Sequence, residues 1–278
     1  MSQPALSRTI RQIEDAVGVR LLDRDTRNVK LSPAGRELLP VAKRILAEFE
    51  GAFGELAQFV EGRSGRITVA ALPSIAAAIL PATIKRFQSS HPQVDFTIRD
   101  VLSGVIMTEV DEGRADLGLT VRPQVSERLA YRPLVSDDFV LVCRTDDPVA
   151  AEEDPLPWSV FEGRRFVAMA ESSSVRAMTD AAFLQGSLAV KPLYECEHIS
   201  TARSLIAAGL GVSALPRLTL PLVAFPGMLV RPLVGPVLSR SIGVVTRIGR
   251  SLSPAAQSFF TALVEDAAQI SASSSGST

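Results

Sequence analysis

The chain has 278 residues, more than one average domain, and with 46% hydrophobic and 21% charged residues its composition is that of a globular protein. The 18 glycines and 18 prolines are scattered, which excludes collagen-like and wholly disordered chains. The net charge of -1 hides an uneven distribution, because residues 1–44 carry nine Lys and Arg against five Asp and Glu, whereas the remainder carries 20 against 25. Residues 1–44 form a basic region, the head, and the remaining residues form an acidic region, the body. This separation of charge indicates two different functions.

The sequence predicts a cytoplasmic protein without a membrane span. The first residues lack the apolar segment of an export signal, and prolines and arginines interrupt the most apolar stretch, 204–237. Two cysteines occur, Cys143 and Cys196. We expect both to be reduced core thiols, with a redox-sensing pair as the alternative.

The first 61 residues predict a helix, a hairpin and a long helix. The first helix covers Gln3–Ala16 and ends before Gly18, with one apolar stripe beside a polar arc. Residues 19–31 predict a short hairpin with a basic tip. Ser32 then caps a helix running to Glu61, whose many apolar residues require a partner, most simply a second copy of the chain.

From Arg66 onward the pattern alternates between short apolar strands and helices, which predicts an α/β module with a parallel sheet. The predicted strands are 66–72, 94–101, 116–120, 166–169, 193–196 and 212–215, and the predicted helices are 75–90, 105–112, 175–185 and 199–208. Two further extended runs, 139–143 and 241–246, are placed to connect one half of the module to the other. A closing helix, 254–270, precedes a serine-rich tail.

Several spaced motifs resemble LysR-type transcriptional regulators. In the head these are Ser2-Gln3-Pro4-Ala5-Leu6-Ser7-Arg8, Gly18-Val19-Arg20-Leu21-Leu22-Asp23-Arg24 and Leu31-Ser32-Pro33-Ala34-Gly35. In the body they are Ala115-Asp116-Leu117-Gly118-Leu119 and Ala207-Ala208-Gly209-Leu210-Gly211-Val212-Ser213-Ala214-Leu215-Pro216. Because they occur in the family's order, the resemblance covers residues 2–270.

The resemblance implies an α/β protein with four regions. These are a partial winged helix-turn-helix (1–32), a linker and dimerisation helix (33–63), an effector-binding module (64–270) and a disordered tail (271–278). The module would resemble the periplasmic binding proteins, with subdomain I at about 64–137 and 239–270 and subdomain II at about 138–238. The implied function is DNA-binding transcriptional regulation in response to a small effector, without enzymatic activity, catalytic residues, cofactor or metal.

The chain departs from the family at its start. Family members begin with two helices ahead of the recognition helix, whereas this sequence starts at the recognition helix itself. Leu6, Ile10 and Ile13 would then lack the helices against which they normally pack. We expect a truncated or misassigned start. The alternative is an effector-binding protein without autonomous DNA binding, which could act in mixed dimers.

Polar and basic side chains of the head are the predicted contacts with double-stranded DNA. A recognition helix enters the major groove, where glutamine suits adenine edges and arginine suits guanine or phosphate. The predicted residues are Gln3, Pro4, Ser7, Arg8 and Arg11 on the helix, and Arg24, Arg27, Asn28 and Lys30 on the hairpin. The resemblance also implies a homodimer or homotetramer and allows contact with RNA polymerase.

Hydroxyl side chains at strand-to-helix junctions are the predicted effector site. Each could merely cap its helix, but in open α/β sheets ligands bind beyond the carboxyl ends of the strands, near helix N-termini that favour anions. We therefore expect a small organic anion, most simply a carboxylate. The predicted residues are Ser74, Ser103, Thr120, Arg122, Arg144, Ser172, Ser173, His198, Ser200 and Thr201.

Two other classes of protein fit less well. An enzyme is disfavoured because the two histidines, His91 and His198, lack metal-ligand spacing, and Gly209-Leu210-Gly211 lies between a helix and a strand rather than opening a helix. A periplasmic solute-binding protein would share the fold of 64–270. It would, however, carry an export signal or lipid anchor and no linker helix.

Overall fold

A computed structural model describes residues 3–24, 29–123 and 126–275. The chain divides into two units, Met1–Val60 and Glu61–Thr278, which are described separately. Within the described ranges, none of the helices combines the length and apolarity that a bilayer crossing demands. Those ranges also contain no group of His, Cys, Asp and Glu side chains that could hold a metal ion.

The first unit consists of a helix, a hairpin and a long helix, as the sequence predicts. The elements are α1 (Gln3–Val17), β1 (Leu22–Arg24), β2 (Val29–Leu31) and α2 (Pro33–Val60), with β1 and β2 antiparallel. Gly18 takes a φ of 74°, which a glycine accepts at the end of a helix, and its N–H donates to the Glu14 carbonyl. Ser32 caps α2, because its Oγ accepts from the Gly35 N–H at 3.0 Å.

Gly35 allows the start of α2 to approach the hairpin closely. A Cβ added at Gly35 would clash with the carbonyl oxygen of Leu21. The Ser32 N–H donates to the same carbonyl, at 2.9 Å. Any larger residue at 35 would therefore push the helix away from the hairpin.

The second unit is an α/β module. Its strands are β3 (Ser64–Ala71), β4 (Gln93–Asp100), β5 (Leu117–Val121), β6 (Leu129–Arg144), β7 (Leu156–Pro157), β8 (Phe166–Met169), β9 (Pro192–Cys196), β10 (Ser213–Pro216), β11 (Met228–Val234) and β12 (Ser239–Arg247). Its helices are α3 (Pro73–Ala78), α4 (Leu80–Ser90), α5 (Ser103–Asp111), α6 (Ser174–Gln185), α7 (Ile199–Ala207), α8 (Leu220–Val223) and α9 (Pro254–Ser275).

Two separate hydrophobic cores divide this module into two lobes. Lobe I packs α4, α5 and α9 on the strands in the order β4-β3-β5-β12-β6, around Phe87, Phe96 and Phe259. The core of lobe II contains Phe139, Trp158 and other aromatic side chains, together with residues of β6, β8 and β10. The long strand β6 belongs to both, since Val135 lies in the first core and Phe139 in the second. The predicted subdomain boundaries at 137/138 and 238/239 lie between the residues of these cores.

The predicted parallel sheet is only partly right. Strands β3, β4 and β5 are parallel, as are β8 and β9, but β12 is antiparallel to both β5 and β6, and β10 and β11 are antiparallel to β6. The physical reason is that the chain leaves lobe I along β6 and comes back to it along β12. These two neighbouring strands therefore run in opposite directions. These are the two connecting runs that the sequence indicated.

Three smaller predictions need correction. The helix expected over 75–90 is two helices, because Pro81 begins a new one after Ile79. Strand β11 was not predicted, since Pro232 is unfavourable inside a sheet. Helix α9 continues through 271–275, where a disordered tail was expected, because extending a packed helix costs little per residue. Residues 276–278 lie outside the described ranges.

Candidate functional site

The polar arc of α1 forms a surface in the first unit. Pro4, Arg8 and Arg11 are exposed, and Ser7 is half-buried. Lys30 on β2 is also exposed. The side chains of Gln3 and Arg24, and the whole of Arg27 and Asn28, lie outside the described residues, so these four predicted contacts stay predictions. Arg8, Arg11 and Lys30 make no ion pair with a described residue, which leaves their charges available.

Glu14 fixes α1 against the start of the hairpin. Its Oε1 accepts the N–H groups of Leu21 and Leu22 at 2.8 and 3.0 Å. The carboxylate thereby satisfies two backbone donors that the short turn after Gly18 leaves without helix partners. These two bonds link the helix to the start of β1.

Two apolar stripes of the first unit face solvent. On α1, Leu6, Ile13 and Val17 are about half exposed. On α2 the exposed apolar residues are Leu39, Val41, Ile45, Leu46, Phe49, Phe53, Leu56, Phe59 and Val60. Such a face is stable in water only when something covers it.

A cavity of about 460 Å³ opens between the two lobes of the second unit. It lies beyond the carboxyl ends of β3 and β4 in lobe I and of β8 and β9 in lobe II, as expected for ligands of open α/β sheets. Helices α5, α6 and α7 all begin at its wall, so the N-terminal turns of three helices lie beside the same space. Leu72, Leu102, Met169, Val175 and Leu222 add an apolar surface.

Half of the predicted effector residues lie on this wall, namely Ser74, Ser103, Ser173, His198 and Ser200. Ser172 and Thr201 are one residue away from lining positions, and Thr120 lies behind the wall, where it bonds to Ser103 at 2.8 Å. That these residues bind an effector remains a prediction.

Arg122 and Arg144 are not brought to the cavity. The Arg122 guanidinium lies over the ring of Tyr131, 5.8 Å from its centroid. Arg144 pairs with Asp146 and donates to the Ala207 carbonyl at 2.7 Å, and it lines a different cavity of about 340 Å³. We expected Arg144 to reach the effector site, but it does not, because β6 ends at Arg144 on the side of lobe II away from the cavity.

The hydroxyl groups at the junctions differ in their roles. Ser173 is a true cap, because its Oγ accepts from the Val175 N–H at 3.0 Å. Ser74 and Ser103 lie inside the first turns of α3 and α5 and cap neither helix. Ser74 Oγ instead accepts from Arg240 Nη2 at 2.8 Å. The capping interpretation therefore explains one of these three hydroxyls.

Arg240 is the charged group most deeply buried at the cavity wall, and the sequence reasoning missed it. Its side chain is 3% exposed, and it pairs with the fully buried Asp137, which lies opposite it in the register of β12 and β6. Asp137 also accepts the Leu218 N–H at 2.9 Å. Burial raises the pKa of Asp137 and lowers the pKa of Arg240, so the shared environment penalises both charges. A charged residue within an apolar strand was the signal available in the sequence.

The bonds of Arg240 leave one nitrogen free. Nε donates to Asp137, and Nη2 lies within reach of both Asp137 and Ser74. Nη1 has no hydrogen-bond partner among the described residues. The atom is also not fully enclosed by protein. Since Arg240 lines the cavity, Nη1 can donate to a ligand there.

The two cysteines lie in lobe II and are both buried. Burial raises the pKa of the Cys143 thiol to about 11, and it also raises the pKa of Cys196. Cys196 Sγ lies 3.5 Å from the Ala168 carbonyl, to which it can donate. Neither thiol lines the cavity, so both fit the expected role of core residues.

Comparison with known proteins identifies two matching families. Residues 61–268 match the LysR substrate binding domain, and residues 1–36 match the bacterial regulatory helix-turn-helix protein of the lysR family. The HTH-type transcriptional regulator YbhD of Escherichia coli is 32% identical over 95% of this chain and 83% of its own. A probable hydrogen peroxide-inducible genes activator of Streptomyces viridosporus is 32% identical over 78% of this chain and 69% of its own.

Solved structures show the same fold. CbnR, a LysR family transcriptional regulator, matches with a TM-score of 0.77 at 18% identity, covering 95% of this chain and 91% of its own. The effector binding domain of QuiR in complex with shikimate matches with a TM-score of 0.67 at 18% identity, covering 74% of this chain and 98% of its own.

Proposed function

The chain belongs to the LysR family of transcriptional regulators, and from this premise we propose that it couples a small organic molecule carrying a carboxylate, bound between its lobes, to the binding of double-stranded DNA. The single observation that carries the ligand part is Arg240, a buried arginine with one free nitrogen at the cavity wall. A carboxylate is the ligand group that this nitrogen and the nearby helix N-termini would bind.

The dimensions of the cavity support a ligand of metabolite size. Its volume of about 460 Å³ falls in the range typical of small-molecule sites, roughly 300–1,000 Å³. The apolar residues on the wall would cover the carbon skeleton, while Ser103, Ser173 and Ser200 offer hydroxyl groups. QuiR was solved with shikimate in its effector binding domain.

The DNA part of the proposal assigns base and phosphate contacts to α1 and phosphate contacts to the hairpin. Arg8, Arg11 and Lys30 are exposed and lack ion-pair partners among the described residues. Glu14 ties the helix that carries the two arginines to the start of the hairpin, so the backbone positions of Arg8 and Arg11 are set relative to Lys30. CbnR has been solved in complex with its target DNA.

We assign the exposed apolar face of α2 to a second copy of this chain. The helix is 28 residues long, and its stripe includes Phe49 and Phe53, whose ring centroids lie 4.6 Å apart. A homodimer would cover the α2 stripes of its two copies at once. It would also present two copies of α1 to two half-sites on DNA. Further assembly to a tetramer and contact with RNA polymerase belong to the same proposal.

The proposed function includes no enzymatic activity. LysR regulators are generally non-enzymatic DNA-binding proteins. The ionisable residues on the cavity wall are Asp100, Glu197, His198 and Arg240, and Arg240 is already engaged by Asp137. Their role in the proposal is to bind a ligand.

Calorimetric titration of the full chain with small carboxylic acids, amino acids and neutral sugars tests the ligand part. We expect binding of acids and no binding to Ser200→Trp, whose bulky side chain would fill the mouth of the cavity. Glu153→Gln, an exposed change outside the cavity, is the matched control and should bind as the wild type does. Binding of neutral sugars alone would contradict the assignment of a carboxylate ligand. Ligand binding without any DNA binding would favour the alternative of an effector-binding protein.

A further inference from the structure

The cavity wall carries more negative charge than a site for a simple anion should. Asp100 at the end of β4 and Glu197 directly after β9 both line it, one from each lobe. Both side chains are exposed, and neither makes an ion pair or a hydrogen bond with a residue that the structure describes. Their charges are therefore uncompensated.

The positive side of the wall is different in kind. The charge of Arg240 is balanced by Asp137 at 2.7 Å, so the pair contributes hydrogen-bond donors but no net charge. The first turns of α5, α6 and α7 add further N–H donors with partial positive charge. His198, which precedes α7, is the remaining titratable group on the wall. Among the Asp, Glu and Arg side chains of the wall, two negative charges are left unbalanced, those of Asp100 and Glu197.

A ligand that is only an anion would meet repulsion from these two carboxylates. A ligand that is only a cation would leave Nη1 of Arg240 and the helix N-termini without an acceptor, and unpaired buried donors are costly. A ligand with both charges satisfies both sets of groups. Opposite charges on facing surfaces also disfavour wrong ligands, because each wrong ligand leaves one set unpaired.

We propose that the effector is a small zwitterion of the amino-acid class, with its carboxylate on Arg240 and the helix N-termini and its ammonium group on Asp100 and Glu197. This inference rests on the proposed function, because it takes the cavity between the lobes as the effector site. It adds a second charged group to the ligand and assigns that group to two named carboxylates. The apolar wall would contact the amino-acid side chain.

Binding of a matched series to the full chain tests the proposal. The common amino acids are titrated first, and the tightest is compared with its desamino acid and its decarboxylated amine. We expect the amino acid to bind at least about tenfold more tightly than either, because each analogue lacks one charge-assisted contact. A desamino acid that binds equally well overturns the proposal, as does binding of no amino acid at all.

Substitutions of the two carboxylates assign the ammonium contact to this site. Asp100→Asn and Glu197→Gln change exposed residues, so both variants should fold as the wild type does. We expect the double variant to lose the preference for the amino acid over its desamino analogue, and Glu153→Gln to keep it. An unchanged preference in the double variant overturns the assignment.

The failure of this inference is distinguishable from failure of the proposed function. If desamino acids bind the wild type and not Ser200→Trp, the cavity is the effector site and only the zwitterion is wrong. If an amino acid binds both proteins equally, its site lies elsewhere and both proposals fail.

Discussion

Arg240 Nε lies 2.8 Å from Oδ2 of Asp137, and both side chains are almost completely buried where β6 passes from lobe I to lobe II. Removing one partner of a buried ion pair leaves an uncompensated charge, which costs about 3–5 kcal/mol. Asp137→Ala should lower the free energy of unfolding by that amount, whereas the exposed neighbouring change Asp138→Ala should have an effect below about 0.5 kcal/mol. Urea unfolding of the full chain, followed by the fluorescence of the single tryptophan, Trp158, measures both.

The double variant Asp137→Leu/Arg240→Met separates the cost of an unpaired charge from the cost of altered packing. It replaces the pair by apolar side chains, so we expect most of the lost stability to return. Equal destabilisation in Asp137→Ala and in the double variant would mean that the charge balance between these strands is unimportant.

Glu109 should make the stability of lobe I depend on pH. Hydrogen bonds from Arg114 at 2.8 Å and from Arg99 at 2.5 Å hold the pKa of Glu109 below its ordinary value of 4.5. A carboxyl group whose pKa is lowered by folding contributes stability above its unfolded pKa and loses it as the pH falls through the folded pKa.

Glu109→Gln should therefore be less stable than the wild type at pH 7, and the difference should narrow as the pH falls below 4.5. Thermal unfolding across this range measures the difference. Glu127→Gln, an exposed change in the same lobe, is the control and should follow the wild type throughout. A difference that stays constant down to pH 3 would show that Glu109 acts only through packing.

The cysteines should be unreactive in the folded protein. Raising the pKa of Cys143 from 9.0 to about 11 lowers its thiolate fraction at pH 7 about a hundredfold, and burial restricts access further. We expect dithionitrobenzoate to label both thiols only after unfolding. Hydrogen peroxide should leave DNA binding unchanged, even though one relative is a probable hydrogen peroxide-inducible genes activator. A disulfide between Cys143 and Cys196 after peroxide treatment would revive the redox alternative.

Arg8→Ala and Arg11→Ala should weaken DNA binding without changing self-association. The duplex for this test is one selected by the wild-type chain from a randomised pool. If the arginine contacts phosphate, the slope of log K against log salt falls by about 1, and if it contacts guanine the loss is about 1–3 kcal/mol on the selected duplex. Arg66→Ala, an exposed change in the second unit, is the control. Unchanged affinity in both variants would contradict the assignment of α1.

Phe53→Lys should dissociate the proposed dimer. Phe53 is 57% exposed in the single chain, in the middle of the α2 stripe, and a buried lysine there would lack a partner. Glu55→Lys places the same charge on the opposite side of the helix and should leave the dimer intact. Sedimentation equilibrium distinguishes the two, and an equally associated Phe53→Lys would show that another surface joins the copies.

The sequence predicts elements and junctions better than it predicts side-chain partners. The periodic spacing of apolar residues locates most helices and strands, because each such element buries one apolar face. Half of the predicted effector residues reach the cavity, since strand ends of an α/β sheet meet at a common edge. Arg240 was missed because its importance comes from Asp137, which is 103 residues away along the chain. Arg144 was misplaced because an apolar run does not show which end of its strand lies at the cleft.

The most direct test of the central claim compares DNA affinity with and without the tightest acid of the calorimetric panel, for the wild type and for Ser200→Trp. A coupling of about 1–3 kcal/mol between the two sites corresponds to a change of roughly 5- to 150-fold in the Kd for DNA. We predict such a change in the wild type and none in Ser200→Trp, with equal DNA affinity of the two proteins when the acid is absent. A ligand that occupies the cavity and leaves the DNA affinity of the wild type unchanged would contradict the claim.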